Sequence, residues 1–594
     1  MCGIAGYVGP SAAVPILVDS LQKLEYRGYD SCGLAVFHGE AVDVTRSVGR
    51  IESLLPKVPM NISGGYMGIA HTRWATHGAP SERNAHPLTS CDGAVFAVHN
   101  GIIENSDELR HELEGKGHRF QSETDSEVIP HFLEERLRQG ETFDSAMLEL
   151  EDRIRGTFAI IAGRKGERTL YVTRRGSPLV IGVGDGEYFP ASDIPSFLHR
   201  TSRVLYLREN DCVAVTPQGL RLIRKDRSGA VRWEATPDPA VVDLDPASAS
   251  KGAFDHYMLK EIMEQTSILE RIIYRSPEVL APSVRALREA ERIYFIGAGT
   301  SYHAALYGEY LLARVARRPA SVHIASEFDA IAPIVGPRDV VVALSQSGET
   351  ADTLAAAELA KNQGAQLIGL VNAEASSLAR LSDLCVPLRA GLELAVASTK
   401  SYSAQLTLLY QMICALGPAP EHCAAELWQV RDALFNLTSD AAREHSRRLG
   451  RVLTESHDVF LVGRGLHRVT ALEAALKLKE VARLRAEAFP GGEMKHGPLA
   501  LVGEGTPVIV FYGQSDLTAA ESSASELVSR GAAVYSVGPR ALRVSTDHIQ
   551  VVDTGYASPI AQMLPMQILA YETARLKNLD PDHPRNLAKA VTVQ

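Results

Sequence analysis

The stretch RIYFIGAGTS, residues 292–301, runs an apolar β segment into a Gly-x-Gly turn and then into hydroxyl-bearing residues. A strand that ends this way and leads into a helix is the opening unit of a doubly wound α/β layer. The chain uses the unit twice: DVFLVGRGLH, residues 458–467, sets Gly463 and Gly465 166 positions after Gly297 and Gly299. The next strands, DVVVALSQSGET (339–350) and TPVIVFYGQSDL (506–517), keep nearly the same offset. Long amphipathic helical stretches separate these runs, the pattern of a parallel sheet covered on both faces. Two tandem α/β units of one topology are expected, over 252–439 and 440–579, a duplication too long for a solenoid repeat.

Working outward, the first 235 residues have another style. GGYMGIAHTRWATHG (64–78), GAVFAVHNGIIEN (93–105), GTFAIIAG (156–163) and TLYVTRRGSPLVIGVG (169–184) are short, β-rich and punctuated by glycine. They predict packed sheets with helices outside. Asn100-Gly101 taken alone predicts a tight turn. A proline-, alanine- and serine-rich stretch follows and predicts a linker over 236–251. At the other end, MCGIAGYVG places a cysteine second. Cys2 is either a buried small apolar residue or a nucleophile exposed by methionine removal, with an α-amine of pKa about 7.7–8.0 as its base.

A length of 594 residues implies several domains rather than one oversized core. The net charge of -10 provides no basic excess to displace counterions from phosphates, which argues against nucleic acid as a partner. No apolar run reaches a membrane span, and the N-terminus lacks the basic start and hydrophobic core of a signal peptide. A cytoplasmic protein is expected. The seven cysteines form no CxxC pair, which disfavours a disulfide framework and structural zinc alike.

In the first α/β unit, three helices are expected to begin in hydroxyl clusters: at Thr300 and Ser301, at Ser345, Gln346, Ser347 and Thr350, and at Ser398. Each cluster alone is explained by helix capping. Three of them at the carboxyl ends of strands converge where open sheets bind ligands, and free helix N-H groups with hydroxyls suit a phosphate. A nucleotide is disfavoured, since GAGTSY lacks the third glycine of the dinucleotide motif and no P-loop lysine follows. The second unit reads GRGLH at this point and has lost the hydroxyls. Its offering is a helix whose Glu473, Lys477 and Glu480 share one face, running on to a turn with Lys495 and His496. An ion-pair stripe and a reaction site both fit that face. Lys589, near the end of the chain, is either a surface charge or an imine-forming amine.

Taken together, MCGI, LEYRGYDSCG, HTRWATHG, NAHP, HNGIIEN and ETDSE resemble the class II glutamine amidotransferases. GTSYHA, ASEF, LSQSGETADT, ASTK, ALKLKE, HGPL and PRNLAKAVTV resemble sugar isomerase (SIS) subdomains. In this order they resemble the glutamine:fructose-6-phosphate aminotransferase family. The resemblance implies a four-layer αββα domain of the N-terminal-nucleophile type over 1–235. It also implies two doubly wound SIS subdomains over 252–439 and 440–579, and a tail, 580–594, folded into the sugar site. It casts Cys2 as nucleophile and Asn100 with the Gly101 N-H as oxyanion hole. Arg73 and Asp125 hold glutamine, with Thr76 and His77 lining its pocket, and Trp74 gates an ammonia channel. Thr300, Ser301, Ser345, Gln346, Ser347, Thr350 and Ser398 bind the sugar phosphate. His496 assists ring opening, Lys589 forms an imine, Glu480 moves a proton between sugar carbons, and Lys477 supports them. No cofactor or metal is implied; glutamine and fructose 6-phosphate are the small-molecule partners, and the expected assembly is a homodimer.

Two departures from the family pattern are Cys32, which suggests redox sensitivity, and Ala298 in place of a frequent cysteine. A sugar-phosphate sensor is a rival reading, but it would not need Cys2, Glu480, His496 and Lys589 together. An amidotransferase with a phosphoribosyl acceptor is another, and LSQSGETADT disfavours it.

Overall fold

The computed structural model describes residues 2–60, 62–226, 230–242, 246–275, 277–374, 376–418 and 420–592. The chain divides into two compact units, Met1–Ser250 with Ala588–Gln594 and Lys251–Leu587.

The first unit is built on two antiparallel sheets of eight and seven strands. Gly3–Val8 lies between Tyr188–Ala191 and Met67–Arg73 in one sheet. Strict alternation decides its two faces: Ala5 and Tyr7 join a cluster with helix Ala13–Leu24, and Ile4 and Val8 join the apolar layer between the sheets. Val95–Ile103 in the other sheet does the same, with Phe96 and Val98 facing the inter-sheet layer and Val95 and Ala97 facing helices Val128–Arg138 and Phe143–Arg153. A strand with both faces covered must be apolar on both, and the result is a helix–sheet–sheet–helix stack.

Two local expectations are corrected. Asn100 and Gly101 form no turn: both lie inside strand Val95–Ile103, paired with Ala159 and Phe158. Gly101 is needed there because its φ is +129° and a Cβ would sit 2.0 Å from the Thr157 carbonyl. The stretch 236–251 is also not a free linker, since Ala240–Val241 pairs with Arg203 and Val204 as an edge strand.

The second unit holds two five-stranded parallel sheets with the same order. In the first copy Ser321–Ile324 and Val340–Ser345 flank Ile293–Gly297, followed by Gln366–Val371 and Leu384–Pro387. In the second, Arg485–Pro490 and Pro507–Phe511 flank Asp458–Gly463, followed by Ala533–Gly538 and Asp547–Gln550. The repeated turns superimpose in dihedral terms: Gly299 has φ 52° and ψ −121°, Gly465 φ 55° and ψ −124°. Only glycine adopts that conformation without strain. Helix Ser558–Leu576 is buried from Ser558 to Ala574 and joins the core that runs through both copies. Against the expectation from cysteine spacing, Cys414 and Cys423 form a disulfide, because the chain folds back after helix Lys400–Cys414 and brings them together. Among the described residues no helix is long and apolar enough to cross a membrane.

Candidate active sites

In the first unit, Cys2 precedes the central strand, whose Gly3 is paired with Thr72. The Cys2 Sγ receives the Trp74 backbone N-H at 3.1 Å. Burial pushes the thiol above its ordinary range, while the positive chain terminus, the Trp74 N-H and Arg73 pull it down. The Asn100 amide is fixed by two neighbours: its Nδ2 donates to the Cys2 carbonyl at 2.8 Å, and its Oδ1 lies 3.1 Å from His71 Nε2. His71 Nε2 also faces the His99 carbonyl at 3.1 Å, so with two acceptors before it that nitrogen carries the hydrogen. Burial lowers the His71 pKa to about 3 and keeps the ring neutral. His71 is therefore a positioning residue for Asn100, which turns its amide nitrogen toward Cys2. Sequence reasoning missed this role, although His71 stands two residues before Arg73 in HTRWATHG.

Arg73 donates through Nη2 to the carbonyls of His77 and Gly78, while its Nη1 is buried and has no protein partner. An orphaned buried guanidinium nitrogen calls for an anionic ligand such as a carboxylate. Asp125 is buried, accepts the Ile103 N-H at 2.9 Å and acts electrostatically on both Cys2 and Arg73. Thr76 and His77 are exposed and hydrogen-bonded to each other at 3.2 Å. Trp74 is half-buried with its ring edge-on to Tyr29. Cys32 offers no ready thiolate: burial, with Glu25, raises its pKa to about 12, and the thiol donates to the Gly49 carbonyl.

In the second unit, the neighbouring strands Ile293–Gly297 and Val340–Ser345 bring the Thr300 and Ser345–Thr350 segments to one end of the sheet, at the point where strand order reverses. The third segment joins them through Gln405, on helix Lys400–Cys414, whose Nε2 donates to the Ser301 Oγ at 3.0 Å. Hydroxyl capping does not explain these residues. Helix Thr300–Leu311 is capped by Gly299, and the N-cap side chains of Thr350 and Thr399 make no capping bond. Ser345 Oγ accepts the Gly348 N-H at 2.8 Å and Ser347 Oγ accepts the Glu349 N-H at 3.1 Å, which shapes the loop. Gly348 has φ 65°, and a Cβ there would lie 2.0 Å from Ser376 Oγ. Gln346, Ser347, Thr350 and Ser398 are half-buried.

The second copy reaches this end through helix Leu466–Ala482. Thr300 Oγ1 donates to Glu473 Oε1 at 2.9 Å, His303 Nδ1 lies 2.7 Å from Glu473 Oε2, and Lys477 Nζ donates to Thr300 Oγ1 at 3.1 Å. Lys477 also pairs with Glu473 at 3.4 Å and Glu480 at 2.5 Å. Burial pushes the Glu473 carboxyl up, yet Lys477, His303 and Thr300 outweigh it and hold the group below its ordinary range. Burial likewise pushes the Lys477 ammonium down, and Glu480 with Glu473 more than reverses that. The stripe is thus a buried network and no solvated surface. His303 is the member that sequence reasoning left out, though it shares a helix face with Thr300 at i, i+3. His496 is exposed on the turn Glu493–His496, and among the described residues no hydrogen bond joins it to Lys477 or Glu480. Lys589 is half-buried, in the Ala588–Gln594 segment that belongs to the first unit.

Lys477→Met is expected to destabilise the second unit by about 3 kcal/mol, the low end for breaking a buried ion pair, because His303 and Thr300 still hold Glu473. Hydrogen exchange of the Leu466–Ala482 amides checks it, with Glu473→Gln in the same chain restoring part of the loss.

Comparisons agree with this division. Residues 71–199 match the glutamine amidotransferase domain family, and residues 286–415 and 452–538 match the SIS domain family. The class is an amidotransferase domain joined to a tandem SIS pair. The chain is 40% identical over 609 residues to the glutamine–fructose-6-phosphate aminotransferase [isomerizing] of Thermococcus kodakarensis, and 40% identical over 623 residues to that of Thermus thermophilus, each covering 100% of both chains. The solved C-terminal domain of glucosamine-fructose-6-phosphate aminotransferase from Francisella tularensis is 29% identical, with a TM-score of 0.51, covering 56% of this chain and 99% of that one. The chain belongs to the glutamine–fructose-6-phosphate aminotransferase (isomerizing) family.

Proposed function

We propose that this protein hydrolyses glutamine at Cys2 and delivers the ammonia to fructose 6-phosphate, which is aminated and isomerised to glucosamine 6-phosphate. The observation that carries this reading is the pairing, in one chain, of a Cys2 whose carbonyl receives the Asn100 amide and whose Sγ receives the Trp74 N-H with a hydroxyl-lined sheet end backed by Glu473, Lys477 and Glu480. Removal of Met1 leaves the Cys2 α-amine as the base that takes the thiol proton. The sulfur attacks the glutamine side-chain amide, the oxyanion is received by Asn100 and the Gly101 N-H, and ammonia leaves with the returned proton. Water then cleaves the thioester to glutamate. Arg73 binds the α-carboxylate and Asp125 the α-amine, with Thr76 and His77 at the rim of the pocket. Ammonia passes the Trp74 gate protected from bulk water.

At the sugar site, Thr300, Ser301, Ser345, Gln346, Ser347, Thr350 and Ser398 take the phosphorylated ketose. His496 assists ring opening, Lys589 forms an imine at the ketone carbon, and Glu480, with Lys477 beside it, moves a proton between the first two carbons. Family resemblance extends the reading to a cytoplasmic homodimer acting without nucleic acid or membrane.

Measuring glucosamine 6-phosphate from glutamine and fructose 6-phosphate tests the whole reading. Glutamate release without any amino sugar would overturn it. A narrower test concerns the cradle: Ser347→Ala and Thr350→Ala are each expected to weaken fructose 6-phosphate binding by about 1.5–3 kcal/mol, the worth of a hydrogen bond to a charged group. Titration calorimetry reads this, and glutamine hydrolysis without sugar stays unchanged.

A further inference from the structure

Four ligand-type side chains that the glutamine chemistry does not use converge in the first unit. Cys91 follows strand Leu88–Thr89, His118 follows helix Ser106–Gly115, and His131 and Glu134 lie three residues apart on helix Val128–Arg138. Cys91 Sγ stands 3.8 Å from His118 Nδ1 and 3.5 Å from His131 Nδ1. Glu134 Oε2 stands 3.2 Å and 3.6 Å from the same two nitrogens. One ligand atom of each residue lies within 4.8 Å of all the others. Bonds of about 2.3 Å to sulfur and about 2.0–2.2 Å to nitrogen and oxygen give a tetrahedron with edges of roughly 3.3–3.6 Å. The four separations quoted, 3.2–3.8 Å, lie within about 0.2 Å of that range, and small side-chain shifts would close the rest.

The surroundings are those of a metal centre. His118 Nε2 faces Glu135 Oε2 at 3.2 Å, and His131 Nε2 faces Glu127 Oε1 at 3.3 Å. Each ring thus sets its Nε2 against a carboxylate and its Nδ1 toward Cys91 and Glu134, the arrangement that metal-binding histidines share. The Arg119 backbone N-H donates to Cys91 Sγ at 3.2 Å, which fixes the sulfur in place. Glu134 is held by the N-H groups of Cys91 and Asp92 and by Arg138. Two imidazole nitrogens, a carboxylate oxygen and a sulfur therefore converge on one point from three segments of the chain. We propose that Cys91, His118, His131 and Glu134 form a structural site for one divalent metal ion of the zinc class. All four positions of the tetrahedron are protein ligands, so the site is closed to catalysis. The histidines and Glu134 are buried while Cys91 is exposed, which gives the ion its way in; the Cys91 proton passes to solvent as the metal–sulfur bond forms. The cysteine spacing pointed away from zinc because it registers only ligands close in sequence, and these come from three segments.

The test uses the untagged full-length chain, stripped with a chelator and titrated with cobalt(II) chloride. About one equivalent is expected to bind, with a thiolate-to-cobalt charge-transfer band and the intense d–d bands of tetrahedral coordination, and zinc chloride is expected to erase both. Cys91→Ser is expected to lose the charge-transfer band and His131→Gln to weaken cobalt binding at least tenfold. Folded wild type that binds less than about 0.1 equivalent overturns the proposal whatever the variants do. An unchanged cobalt spectrum in Cys91→Ser overturns it as well.

Discussion

Cys2→Ala is expected to abolish glutamine hydrolysis and glutamine-dependent synthesis, a loss on the order of 10⁴-fold or more, because nothing else in the pocket can form the thioester. Arg73 and Asp125, the proposed holders of glutamine, are untouched in this variant, so substrate is expected to be held and not consumed. Fructose 6-phosphate affinity is expected to be unchanged, since the cradle around Ser345–Thr350 belongs to the other compact unit. Glutamate release and calorimetric titration with fructose 6-phosphate read the two halves separately. Residual hydrolysis within tenfold of wild type would remove Cys2 from the mechanism, and a large loss of sugar affinity would break the assignment of chemistry to units.

The second large effect concerns the chain end. Lys589→Arg keeps the charge but replaces an amine with a guanidinium that forms no imine, so synthesis is expected to vanish while the protein folds. Borohydride with fructose 6-phosphate is expected to attach the sugar to wild type at Lys589 and to leave the arginine variant unlabelled. The tail is no loose end: Ala590 and Thr592 are buried, and the Asp582 carboxylate receives the N-H groups of Tyr257 and Met258 at 2.9 and 2.8 Å. Deleting the residues after Asp582 is accordingly expected to stop synthesis. Full synthase activity in Lys589→Arg would end the imine assignment and leave the role of Cys2 standing.

The Gly-x-Gly turns were legible because glycine spacing after an apolar run reports a backbone conformation, and Gly299 and Gly465 adopt the same one. Asn100-Gly101 misled for the opposite reason. That dipeptide is a turn signal by local rule, whereas its glycine is fixed by close approach to Thr157 in a neighbouring strand, information no local window holds. The Glu473, Lys477 and Glu480 face could be drawn on a helix from the sequence alone. Its burial could not, because that depends on Thr300 and His303 of the other copy meeting it. Cys91, His118 and His131 were invisible as a group, since each is delivered by a different element.

The matched turns of the two copies have a consequence for how this chain can change over generations. The Thr300–Glu473 contact joins one copy to the other, and in separate molecules it would have to survive dilution. Held on one chain, the copies meet at an effective concentration of about millimolar, so the contact needs little affinity of its own. Each copy then answers to a different constraint. On the proposed function the first must keep the hydroxyls of its sugar cradle, while the second is free to drift at its own turn, where Arg464 and Leu466 now stand, provided the Glu473 face is preserved. On the proposed function, a duplicated binding fold has in this way become one site with two unequal contributors.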